Sequence, residues 1–350
     1  MQQMVRKELT VGETKEYIRQ SIEKKDKRAI FLWGEGGIGK TSLVYQVAKE
    51  LNIYLIDKKL SQENPVTTVG LFYPDVETQE TKRFPRHFLK VAIERDKQGL
   101  PTIIFFDELI NANPDVISSI WEIVNERLIE GYKFENLYII AASNIIDENI
   151  TMINPAFWTR FSHIFVQPDA KEVILYINKT TKCSHVPTFL KLNPNLVFVK
   201  GGKFQIRANP RSWEWVARHC CEYDYDENMI RMKVISDLDI EDGSIPDQFL
   251  KIREKLDKFN FLPIEEYLKN PKKLPSEKEL SAVLFILFSI SHYNPKNWLR
   301  ELKGFVNYLM EHYSNEFVEL LFEILKEHLS HKEMLEIFKD YFKEFYTTDN

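Results

Sequence analysis

The segment Gly34-Glu35-Gly36-Gly37-Ile38-Gly39-Lys40-Thr41 fits G-x-x-x-x-G-K-[ST], a loop whose glycines let backbone N–H groups turn inward around a phosphate. An apolar run, Ala29 to Trp33, precedes it, and a helical pattern with Leu43, Val44 and Val47 follows. In that context the backbone from Gly34 through Ser42, with the dipole of the new helix, binds nucleotide phosphate. Lys40 reaches the β- and γ-phosphates, and the Thr41 hydroxyl holds Mg²⁺. At ordinary residue frequencies a chain of this length meets the pattern by chance on the order of one time in a hundred, before any strand–helix context is required. A glycine-rich turn without chemistry is therefore the weaker reading.

A second segment, Thr102-Ile103-Ile104-Phe105-Phe106-Asp107-Glu108, is an apolar strand ending in adjacent carboxylates. At the carboxyl end of a buried parallel strand, Asp107 belongs beside the Mg²⁺ coordination shell, and Glu108 orients and polarises an attacking water. The competing reading is that the pair merely caps the next loop. A further apolar run, Leu137 to Ala142, ends in Ser143-Asn144. The Asn144 amide suits contact with the γ-phosphate or the lytic water, although an Asn after a strand is commonly a turn former.

Strand-like runs alternate with helical patterns through the first half, which predicts an α/β fold with a parallel sheet covered by helices. The runs are Ala29 to Trp33, Ile53 to Ile56, Thr102 to Phe106, Leu137 to Ala142 and Ile164 to Val166, giving a five-stranded sheet. Between the third and fourth, Asn113 as N-cap, Pro114, and apolar positions from Val116 to Leu128 predict one helix closed by Gly131. After Pro168 helical patterns dominate, including Phe317 to Leu329 and Met334 to Phe345. The expected division is a nucleotide-binding α/β domain over 1–167, a helical lid over 168–270, and a helical C-terminal module over 271–350.

Composition narrows the field. The chain has 350 residues, is 44% hydrophobic and 28% charged, and carries a net charge of -5, so it lacks the overall basic footprint of a nucleic-acid binder. No apolar leader opens it, and the longest apolar stretch, Ala282 to Ile290, reads as a buried core helix and not a membrane span. A cytoplasmic protein is expected. The cysteines Cys183, Cys220 and Cys221 suit a reducing compartment and make no disulfide framework. Cys183 with His185, and His219 with Cys220 and Cys221, lack the paired spacing of structural zinc motifs and read as buried structural residues.

The order of these motifs is similar to that of AAA+ ATPases. More specifically, Phe106 to Pro114 and Glu126 to Lys133 resemble the acidic strand end and following hairpin of the MoxR-like branch, within the helix-2-insert group. Asn154-Pro155-Ala156-Phe157-Trp158-Thr159-Arg160-Phe161 resembles that branch's arginine-finger segment, which implies that Arg160 acts on a neighbouring subunit's ATP; a surface ion pair is the plainer alternative. Ala208 to Glu214 is similar to a lid segment that would make Arg211 the sensor-2 contact to nucleotide, with Arg207 and Arg218 as competitors. The stretch 61–86 lies where the group inserts a hairpin, and Phe72, Tyr73 and Phe84 would then face a substrate, or pack in a core. The resemblance runs from about Val11 to Val216. It implies ATP and Mg²⁺ as cofactors and a homo-oligomeric ring, commonly a hexamer. It also implies remodelling of a protein client, often with a von Willebrand A domain partner. A DNA-directed motor or loader and a slow ATP-dependent scaffold switch are the alternative functions.

Overall fold

The computed structural model describes residues 8–64, 66, 68, 70–75, 77, 79–129, 131–144, 155–201, 206–238 and 243–347. The chain forms two units, Met1–Pro168 and Asp169–Asn350.

In the first unit the strands, in chain order, are β1 (Glu8–Thr10), β2 (Ala29–Trp33), β3 (Tyr54–Lys59), β4 (Gly70–Asp75), β5 (Glu80–Pro85), β6 (Thr102–Asp107), β7 (Leu128–Ile129), β8 (Tyr132–Lys133), β9 (Leu137–Ser143) and β10 (Phe161–Gln167). Six of them form one sheet in the order β1-β10-β2-β9-β6-β3, every pair parallel. β2, β6 and β9 are buried along their whole length, as strands covered on both faces must be, which is why they read as unbroken apolar runs.

The sheet therefore has six strands, not the expected five. The additional one, β1, is three residues long and has no apolar run; it forms because β10 offers it an edge, with Leu9 opposite Val166. Helix α1 (Val11–Glu23) starts at once, held by a reciprocal cap in which Thr10 Oγ1 accepts from Glu13 N (3.1 Å) and Glu13 Oε2 accepts from Thr10 N (2.9 Å). The single helix expected after Asn113 is two short ones, Pro114–Ser119 and Trp121–Glu126, broken at Ile120. Arg127 ends the second in the left-handed conformation, and Gly131, with φ 73°, lies at the turn between β7 and β8 and is not the helix stop.

Within the stretch 61–86, β4 and β5 pair antiparallel from Gly70↔Pro85 to Asp75↔Glu80. The side chains of Phe72, Tyr73 and Phe84, and residues Glu130 and Asn154, lie outside the described residues.

The second unit is mainly helical, with one short antiparallel pair, Val199–Lys200 and Ile206–Ala208. One hydrophobic cluster runs from Val173 and Trp213 through Leu287 and Phe305 to Tyr341, so residues on both sides of Asn270 share a core. The helix Leu280–Ile290 is buried nearly all round, as its composition requires. No helix among the described residues is long and apolar enough to cross a membrane. The cysteines depart from expectation: Cys183 and Cys221, 38 residues apart, are joined as a disulfide with Cα atoms 5.4 Å apart, and Cys220 is free. Sequence spacing missed the pair because helix packing, not a local motif, brings the two together.

Candidate nucleotide site

β2 ends at Trp33, and the phosphate loop starts at once. Gly34 admits no side chain: a Cβ there would collide with Ile38 Cδ1 and stand 2.9 Å from the Val166 carbonyl oxygen. Gly37 and Gly39 take φ 79° and 105°, values that only glycine adopts without strain. Gly39 caps helix α2 (Lys40–Glu50) with no side-chain bond, so the helix presents first-turn N–H groups to an anion. Ile38 is buried under the loop, Glu35 is buried, and Ser42 is exposed on the first turn.

The Lys40 side chain is buried and anchored. Its Nζ donates to Gly34 O (2.7 Å), Glu35 O (2.9 Å) and Asn144 Oδ1 (3.1 Å). The last bond brings the residue that follows β9 to the loop. Thr41 Oγ1 donates to Asp107 Oδ2 at 2.9 Å, joining the start of α2 to the end of β6. Burial pushes the Asp107 carboxyl above its usual range, opposed by the bonds from Thr41 and from the Glu108 N–H. A hydroxyl and a carboxylate this close are hard oxygen donors of the kind Mg²⁺ takes, and a cation there would offset the cost of burying Asp107 as an anion.

Glu108 stands at the strand end with φ 54° and ψ 37°. A non-glycine residue in this conformation is uncommon and needs supports. Its N–H donates to Asp107 Oδ1 (3.0 Å), and its carboxylate accepts from the Ser61 hydroxyl. Ile110 N donates to Ser143 Oγ (2.9 Å), which ties the loop after β6 to β9. Neither serine stood out in the sequence; Ser143 is next to Asn144, and Ser61 has no local signal.

Arg160 is elsewhere in the unit. β10 pairs with β2 from Phe161↔Ala29 to Phe165↔Trp33, so Arg160 precedes the end of β10 opposite to the phosphate loop, roughly 16 Å of strand away. It is exposed and makes no ion pair among the described residues. Its segment is held from two sides. Arg28 Nη2 donates to Phe161 O (3.3 Å) and lies 3.5 Å from Thr159 O. His163 accepts from Trp33 Nε1 (2.9 Å) at Nδ1, which leaves Nε2–H to donate to Trp158 O (2.9 Å).

Arg207, Arg211 and Arg218, the arginines expected to include a lid contact, all belong to the second unit. Arg211 is exposed on the first turn of the helix Pro210–Cys221 and makes no ion pair among the described residues. Arg207 donates to Ser244 Oγ, and Arg218 bonds Glu214 on its own helix and Glu222 just past the end of that helix, both at 2.8 Å.

The sheet, the loop and the two strand-end motifs define a P-loop nucleotide-binding domain on an α/β AAA+ core. Residues 30–169 match the family described as "ATPase family associated with various cellular activities (AAA)", so an AAA ATPase domain occupies that span. The chain is 28% identical over 142 residues to the uncharacterized protein MJ0079 of Methanocaldococcus jannaschii, covering 39% of this chain and 34% of that one. It is 33% identical over 149 residues to the proteasome-associated ATPase of Kribbella flavida, covering 38% and 24%. To the proteasome-associated ATPase of Salinispora arenicola it is 29% identical over 140 residues, covering 37% and 23%. The matched stretches thus span only about a quarter to a third of these relatives' length.

Proposed function

We propose that the protein hydrolyses ATP as one subunit of a homo-oligomeric ring, in which each active site is completed by Arg160 of a neighbour, and that the ring remodels a protein client. The observation that carries this is the position of Arg160: exposed, without an ion pair among the described residues, and separated from its own phosphate loop by the length of a strand.

The cis residues divide the chemistry. Backbone N–H groups from Gly34 to Ser42 and the Lys40 ammonium hold the β- and γ-phosphates, Lys40 exchanging loop carbonyls for phosphate oxygens. Thr41 and Asp107 would hold Mg²⁺, which when bound neutralises charge on the phosphate oxygens. Glu108 orients a water for in-line attack on the γ-phosphorus and takes its proton as the bond to the β–γ bridging oxygen breaks, leaving ADP and phosphate. Asn144, held against Lys40, positions the γ-phosphate or that water. Arg211 is the residue proposed to contact nucleotide from the lid.

A protein client is favoured over nucleic acid by the net charge of -5 and by the likeness to proteasome-associated ATPases. The MoxR-like resemblance adds a von Willebrand A domain protein as the partner to test. The deciding experiment measures ATP turnover and assembly mass for Glu108→Gln, Arg160→Ala and an equal mixture. The expected result is two nearly inactive proteins that both bind ATP, with activity returning on mixing in an ATP-assembled ring. Full turnover by monomeric Arg160→Ala would sink the shared-site reading.

A further inference from the structure

The second unit brings together Cys183, His185 and Cys221, whose sulfur and ring nitrogen donor atoms lie within 4.8 Å of one another. Cys183 is in the connection between the helices Ala170–Thr180 and His185–Leu192, His185 is the first residue of the latter, and Cys221 is the last residue of Pro210–Cys221. His185 Nδ1 is 3.7 Å from Cys221 Sγ. Its other nitrogen, Nε2, is 2.8 Å from Asp257 Oδ1, at the end of the helix Ser244–Asp257.

That second contact fixes what the first can do. An imidazole that gives its Nε2–H to a carboxylate turns the lone pair of Nδ1 toward the two sulfurs, the arrangement by which a carboxylate orients a metal-binding histidine. Asp257 is itself held: Arg253 Nη2 is 3.5 Å from Asp257 Oδ2, and Arg253 also bonds both oxygens of Glu227 at 2.6 and 2.9 Å. Cys183 is fully buried, while the His185 side chain keeps 16% exposure.

We propose that the reduced Cys183–Cys221 pair, with His185 Nδ1, binds a zinc-class divalent cation, Asp257 orienting the histidine. Two thiolates and one imidazole are soft-to-borderline ligands that suit zinc, and a solvent molecule fills the fourth tetrahedral position. Reduction of the disulfide takes two electrons and two protons from a thiol reductant, which is itself oxidised to a disulfide. The cation then displaces the two thiol protons, with no further electron transfer. The ion would tie two helix ends and the turn between helices into one cluster.

The test uses the full chain, reduced with a dithiol, desalted without oxygen and titrated with Co²⁺. The expected result is one equivalent bound, with thiolate-to-cobalt charge-transfer absorption and tetrahedral visible bands that Zn²⁺ abolishes. His185→Gln and Asp257→Asn should each weaken binding about 10–100-fold while the reduced chain keeps the same count of thiols reactive toward a chromogenic disulfide, Cys220 included, as the unsubstituted protein. Because Cys183→Ser in a buried site can fail to fold, His185→Gln, with its fold checked by circular dichroism, carries the decision. Reduced protein with free thiols and no thiolate–cobalt absorption overturns the site, as does binding that His185→Gln leaves unchanged.

Discussion

At the residue scale, the candidate site depends on a few atoms held in costly positions. Glu108 occupies left-handed backbone, and Asp107 and Lys40 are buried, so each needs the partners it has. Glu108→Gln keeps the shape and removes the proposed proton acceptor. It is expected to lower ATP turnover on the order of 10²–10³-fold with ATP affinity little changed, measured by phosphate release and by nucleotide titration. Gly34→Ala tests the loop by shape alone, since its methyl group must displace Ile38 or the Val166 carbonyl. Destabilisation of about 1–3 kcal/mol, read from denaturant midpoints, together with weakened nucleotide binding, is the expected outcome. An unchanged midpoint would mean that the loop relaxes more freely than this packing implies.

At the element scale, the segment before β10 is positioned by contacts from the strand that leads into the phosphate loop. His163 bridges Trp33, the last residue of β2, to the Trp158 carbonyl, and Arg28, just before β2, reaches the carbonyl on the far side of Arg160. The rings of Phe31, Trp33, Trp158 and Phe161 pack around this bridge. His163→Leu removes both hydrogen bonds and retains apolar bulk. On the proposed ring reading it should lower ATP turnover while leaving ATP affinity of the single chain intact; equal loss of both would point to damage at the phosphate loop instead. Arg127 supports the same end of the sheet. Burial pulls its guanidinium down to about 10, and it donates to the carbonyls of Lys27, Ile123 and Val124.

At the scale of the whole molecule, acid is expected to act on the second unit through two half-buried histidines, His292 and His328. Burial lowers both His292 and His328 below the ordinary histidine range, with positive charge from Lys179 adding to the effect at His328. A group with a depressed folded pKa takes up its proton in the unfolded chain first. Its stabilising contribution is therefore present above about pH 6.5 and lost as pH falls through the folded value. Urea midpoints followed from pH 7.5 to 5 should fall, and the double variant His292→Gln/His328→Gln should flatten the lower part of that curve. A slope unchanged by the double variant would assign the acid sensitivity to other groups.

The phosphate loop, the acidic strand end and the buried strands were legible in the sequence because each is a contiguous run whose local geometry dictates its residue types. Glycine at positive φ, an apolar strand covered on both faces and a polar residue at a strand end leave their marks within a few positions. The helix after Asn113 was legible in outline, but its break at Ile120 was not, since no glycine or proline marks it. Only the tertiary structure decided the rest. β1 exists because β10 has an edge to pair, Ser61 reaches Glu108 across 47 positions, and Cys183 meets Cys221 across 38. Those contacts join side chains through the packing of separate elements, and packing geometry is set by the whole core at once, so no short pattern in the chain carries it.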